Sequence, residues 1–149
     1  LEIQRMPKTY GRRFADLSAN PYLSVATIGT HDMPPLRLWW KTDADGRQAY
    51  WHEAMHREGE APADLGAAEC ESIVAAHLDS PSMLALIALQ DYLAMDASLR
   101  HPQPEAEQIN DPANPDQHWT YRMHLTIEQL AAATDFNDKL RALIEKSGR

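Results

Sequence analysis

Residues 22–35 read YLSVATIGTHDMPP, and this stretch decides the fold. Its first part, YLSVATIGT, is rich in β-branched residues and nearly continuous in apolar character. A strand of a parallel sheet, covered on both faces, shows that pattern. The paired prolines Pro34 and Pro35 then suit a loop that feeds the first turn of a helix, so LRLWWKT is expected to begin that helix. His31 and Asp32 therefore stand between a buried strand and a helix. In β/α folds the chemistry gathers at the C-terminal ends of strands, which makes the pair a candidate for polar recognition or acid–base work. The competing reading is local: an Asp that caps the next helix beside a locally paired His.

Working outward, LEIQRM alternates apolar and polar residues and suits a short strand. GRQAYWHEAMHREG reads as a helix that stops near Gly59, and APADLGAAECESIVAAHLDS as a second helical stretch. The run MLALIAL, after Ser80-Pro81, is the next strand candidate, with a short buried helix as its rival. A long polar segment follows, RHPQPEAEQINDPANPDQHW. A loop of that length inside a domain is usually functional or disordered. LTIEQLAAAT is expected to be a short helix with Thr126 as its N-cap. FNDKLRALIEKSGR closes the chain as an amphipathic helix with Leu140, Leu143 and Ile144 on one face. Strands alternating with helices point to parallel β/α units.

The 149 residues suffice for one domain with a real core. A net charge of −8, from 14 basic and 22 acidic residues, argues against nucleic acid or an anionic membrane as partner. The single cysteine, Cys70, excludes an intrachain disulfide framework and a cysteine-rich zinc site, and a cytoplasmic setting is expected. No apolar run approaches the roughly 20 residues of a membrane span. The chain opens without methionine inside a strand-like run, so a piece of something larger is expected.

One motif invites a different chemistry. HEAMH, residues 52–56, has the H-E-x-x-H spacing of zinc hydrolases, in which two imidazoles on one helical face hold the metal and the glutamate activates its water. Glu69, Glu71 or His77 has the spacing of a third ligand. The neighbours Arg47, Arg57, Glu58 and Glu60 instead describe a solvated helix, which favours coincidence, and no metal is expected.

Three segments together carry a resemblance. SVATIGTHDMPPLRLWW resembles the region after the seventh barrel strand of the 4-α-glucanotransferases, also called amylomaltases or disproportionating enzymes. LQDYLAMD resembles their eighth strand and its loop, and INDPANPDQHWTYRMHLTIEQL resembles their Asn-x-Pro segment with its following Trp and Arg. GEAP, after the HEAMH stretch, fits the bacterial versions. The likeness runs over residues 1–149. It implies an α/β fold, the C-terminal portion of a TIM-type (β/α)8 barrel, holding about the last three β/α units as one segment.

The resemblance further implies retaining transfer of α-1,4-glucan segments between maltooligosaccharides, without a cofactor. A carboxylate forms a covalent glucosyl-enzyme, and a second carboxylic acid serves the leaving and accepting hydroxyls. The family's nucleophile Asp and acid/base Glu lie upstream of Leu1. Asp32 matches the third carboxylate, which binds the 2- and 3-hydroxyls of the cleaved sugar and stabilises developing positive charge. His31 matches a histidine that binds the same sugar, and Asn110 the amide of the Asn-x-Pro segment. Trp39, Trp40 and Trp119 are candidate sugar-stacking platforms, with core packing of helices onto the barrel the favoured reading, and Arg122 is expected to form an ion pair near the Asn110 loop. Where the family often has glycine after the proline, this chain has Ala113. A hydrolase of the same clan and a non-catalytic glucan-binding or structural segment are the alternatives. The isolated segment is expected to be inactive, and its open sheet edges to favour self-association.

Overall fold

The computed structural model describes residues 1–116, 119 and 121–149. Three short strands, β1 (Glu2–Ile3), β2 (Val25–Thr27) and β3 (Leu84–Ala85), form a parallel sheet in the order β1-β2-β3. Glu2 stands opposite Ala26, and Val25 opposite Leu84. The central strand is the most buried of the three, as its nearly continuous apolar run predicts. Ala26 and Ile28 are fully buried, because β2 has neighbours on both edges and helices over it.

Helices α1 (Leu36–Thr42) and α2 (Ala44–Glu53) follow β2 and meet at Asp43. One Asp43 oxygen accepts from Gly46 N at 2.8 Å and the other from Trp39 Nε1 at 3.1 Å. A β-carbon on residue 46 would overlap that carboxylate and displace it from the turn. Helix α3 (Ala67–Leu78) buries Cys70, Ile73, Val74, His77 and Leu78, a stripe at helical spacing that packs onto the sheet. Trp40, Leu36, Tyr50, Leu93, Met95 and Phe136 complete the core.

The strand expected over MLALIAL is shorter than its apolar run suggests. Only Leu84 and Ala85 pair, and α4 (Leu89–Leu93) takes the end of the stretch. Leu84 and Leu86 are exposed, because β3 lies at the sheet edge with nothing described beyond it. The strand reading thus holds for two residues of the run, and the rival helix begins only at its last residue, Leu89. LEIQRM likewise contributes only two paired residues.

The C-terminal helices follow their sequence closely. Thr126 caps α5 (Ile127–Ala132) in a reciprocal capping box with Gln129. In α6 (Thr134–Lys146), Phe136 is buried, and Leu140, Leu143 and Ile144 pack against the core. Arg149 donates to the carbonyls of Leu78, Ser80, Ser82 and Met83, fixing the turn that leads into β3. No described helix is long and apolar enough to cross a membrane.

Candidate active site

The loop after β2 carries the candidate pair, and buried polar contacts hold it at both ends. Thr27 Oγ1 donates to Gly29 O at 2.8 Å, and Met33 N to Thr30 O at 3.1 Å, closing a turn around His31 and Asp32. Arg5 donates to Ile28 O at 3.1 Å and to Pro34 O at 2.8 Å.

Asp32 does not cap the following helix. That role falls to Asp91 of α4, whose Oδ1 accepts from Leu36 N at 3.0 Å. Pro35, the residue before α1, offers no side-chain cap, so a carboxylate from another β/α unit supplies one. Asp91 is buried, and burial raises its pKa while the Arg5 charge lowers it.

Freed from capping, Asp32 is half-exposed and held by residues from two distant segments. Asn110 Nδ2 donates to Asp32 Oδ1 at 2.6 Å. His31 Nε2 lies 3.3 Å from Asp32 Oδ2. The three residues singled out by sequence therefore form one cluster, although 78 positions separate Asp32 from Asn110.

The Asn110 loop is anchored rather than loose. A 3-10 turn at Pro104–Glu107 buries Glu107, whose backbone carbonyl accepts from Gln90 Nε2 at 3.1 Å. Arg37 Nη1 donates to His101 O at 2.7 Å and lies 3.5 Å from Glu107 Oε2. Gln108 Nε2 then donates to Asn110 O at 3.1 Å, and Asp111 Oδ1 accepts from Ala113 N at 3.0 Å. Ala113 keeps a negative φ, so this turn does not need the glycine that the resembled family often places there.

Trp119 corrects an expectation. Trp40 is fully buried and Trp39 half-buried against the core, as predicted, but Trp119 is 57% exposed. Its ring lies beside His31, with centroids 4.7 Å apart and planes at 44°. Its φ of 56° is left-handed, a conformation that costs a bulky residue about 1 kcal/mol or more. Core packing fails for it because it sits on a proline-rich loop over the site rather than on a helix. Arg122 also departs from expectation. It is exposed, and no ion pair joins it to a described residue, because its loop brings no carboxylate to it.

The zinc reading fails on geometry. Helix α2 ends at Glu53, and His56 lies beyond it with φ 53°, so the two histidines do not share a helical face. The ring nitrogens of His52 are taken up by Gln48 Nε2 at 2.6 Å and Arg57 O at 2.8 Å. Among the described residues no group of His, Cys, Asp and Glu is placed to hold a metal. The thiol of Cys70 is buried and pushed up to about 12 by burial, which removes it as a nucleophile.

A cavity of about 360 Å³ runs beside the cluster, lined by Arg5, Thr30, His31, Gln90, Asp91 and Ile109 among others. A half-exposed carboxylate with one oxygen held by an amide and the other beside an imidazole forms, with an exposed indole, a surface suited to binding polyhydroxylated rings. Arg5 and Asp91, which the sequence reading gave no role, frame it from below. The signals for them were an arginine inside an otherwise strand-like run and an acid at the end of an apolar one.

The comparisons with known proteins point the same way. The 4-alpha-glucanotransferase family model matches residues 1–127. The 4-alpha-glucanotransferase DPE2 of Oryza sativa subsp. japonica is 34% identical over 149 residues, all of this chain and 16% of that protein. The 4-alpha-glucanotransferase of Chlamydia muridarum is 30% identical over 125 residues, 83% of this chain and 23% of that one. Among solved structures, the amylomaltase of Streptococcus agalactiae in complex with acarbose matches with a TM-score of 0.61 at 19% identity, over 87% of this chain and 23% of that one. The chain thus spans less than a quarter of the length of these relatives. With the match covering both the strand and loop that carry Asp32 and the segment that supplies Asn110, this chain belongs to the 4-alpha-glucanotransferase family.

Proposed function

We propose that this chain is one segment of a 4-α-glucanotransferase that moves α-1,4-glucan segments between maltooligosaccharides. Residues 1–149 form about the last three β/α units of a (β/α)8 barrel, and the unpaired edges of β1 and β3 are where the remaining strands close it. The parallel sheet in chain order, with α1 to α3 crossing from β2 to β3, supports that assignment. A cytoplasmic setting suits the lone buried thiol.

Asp32 is the group on which this segment's chemistry rests. With Oδ1 fixed by Asn110 and Oδ2 beside His31, its charge is aimed rather than mobile. A carboxylate so placed accepts hydrogen bonds from adjacent sugar hydroxyls and stabilises positive charge developing at the ring, as a retaining transfer requires. His31 and Asn110 orient the same sugar, and Trp119 offers an apolar face to a pyranose ring. The nucleophile and acid/base are assigned to the remainder of the barrel, so residues 1–149 alone are inactive. Self-association through the open edges is the expected behaviour of the isolated segment.

The observation that carries this reading is the Asn110–Asp32–His31 cluster, assembled from two segments that resemble the family's motifs. Incubation of the full-length protein with maltotriose tests it. Transfer yields glucose together with maltooligosaccharides longer than the donor. Glucose and maltose alone would mark a hydrolase, and unchanged maltotriose would refute the proposal.

A further inference from the structure

We infer that Arg5 is a positioning residue, which sets the place of Asp32 by clamping both ends of the loop that carries it; this rests on the function proposed above. Arg5 leaves the sheet just after β1 and is partly buried. Its Nε donates to Ile28 O and its Nη2 to Pro34 O, the carbonyls that bracket residues 29–33. One rigid, planar guanidinium thus spans the loop from entry to exit. Its carbon lies 5.1 Å from the centre of the Trp39 ring, so α1 supports it from the far side.

The charge is compensated without a direct ion pair. Burial pulls the Arg5 pKa down, and Asp91 is the leading opposite charge that raises it. Asp91 in turn holds the first N–H of α1, the helix that the clamped loop enters. One arginine and one aspartate, from the first and last β/α units, therefore fix the loop at Pro34 and the helix at Leu36. Nη1 has no partner among the described residues, so the guanidinium is held by these contacts alone.

Gly29 belongs to the same device. A β-carbon there would overlap Arg5 Nη2, so the glycine admits the guanidinium to the loop. Residue 29 thus tests the clamp without removing either charge. Lysine at residue 5 keeps the charge and loses the fork, so it reaches one carbonyl at most.

The experiment is a kinetic double-mutant cycle in the full-length protein, with maltotriose as donor. Arg5→Lys and Gly29→Ala are each combined with Asp32→Asn, and kcat and KM are read by chromatography beside the melting curve. A misplaced group costs up to about a hundredfold in rate, so each single variant is expected to lose roughly ten- to a hundredfold in kcat. KM stays within about threefold. In the Asp32→Asn background the same changes cost less than about twofold, because their effect passes through Asp32. Gly29→Ala carries the test by itself where Arg5→Lys does not fold. Folded single variants with parental kcat, or losses that multiply undiminished on Asp32→Asn, would overturn the inference. Full activity in Asp32→Asn alone would instead overturn the functional reading beneath it.

Discussion

Asn110 reaches across 78 positions to donate to Asp32 Oδ1 at 2.6 Å, joining the loop after β2 to the proline-rich segment after α4. The contact speaks against the capping reading of Asp32. A capping carboxylate spends its oxygens on backbone N–H groups, whereas this one is held by side chains and remains half-exposed. The cap of α1 comes from Asp91.

Removing the amide leaves Asp32 charged and loosely placed. A hydrogen bond to a charged group is worth about 1.5–3 kcal/mol, so Asn110→Ala is expected to lower kcat/KM by roughly ten- to a hundredfold. Steady-state rates on maltotriose check this, with thermal melting unchanged within about 2 °C because Asn110 is not in the core.

Trp119 is an exposed indole on a strained backbone next to His31. If it stacks on a sugar ring, Trp119→Ala loses about 1 kcal/mol of binding, a fivefold rise in the dissociation constant for a maltooligosaccharide. Calorimetric titration with maltoheptaose reads this directly. Equal affinity in the variant would return Trp119 to a role within its own loop.

Asp91 is expected to matter for folding. Asp91→Ala leaves the buried Leu36 N–H without its acceptor and the partly buried Arg5 without its opposite charge. The expected loss is about 2 kcal/mol or more, read as a lower urea midpoint. A neutral result would mean that water replaces the carboxylate.

His77 gives a pH signature. It is fully buried, donates from Nδ1 to Ile73 O at 2.8 Å, and is pushed down to about 4 by burial. Unfolded, it titrates near 6.5. Between these values the unfolded chain binds a proton that the folded chain does not, so stability falls as pH drops from about 6.5 to about 4. The full effect is roughly 3 kcal/mol. Urea midpoints measured across that range should fall in the parent and stay flatter in His77→Gln.

The sequence showed most where local rules act alone. The Thr126 cap and the apolar face of α6 stand as read, and the run before Gly29 is a buried strand over Val25–Thr27, although its first residues, Tyr22 and Leu23, are exposed. It also singled out His31, Asp32 and Asn110, through the order of three motif-bearing segments, and the structure brings the three into one cluster. It misled where the outcome depends on neighbours. The length of β3 depends on what flanks the sheet, the exposure of Trp119 on which loop folds over the site, and the fate of HEAMH on a helix that ends at Glu53. Arg5 and Asp91 lie 86 positions apart, and nothing in either segment announces the other.

We propose that Asp32 stabilises the transition state of glucan transfer. Glucose release from maltotriose by the full-length protein and by Asp32→Asn tests this. In Asp32→Asn, kcat is expected to fall by about three orders of magnitude or more, with the melting temperature and glucan binding retained. Parental activity in Asp32→Asn would contradict it and would reduce the His31–Asp32 pair to a structural feature of its loop.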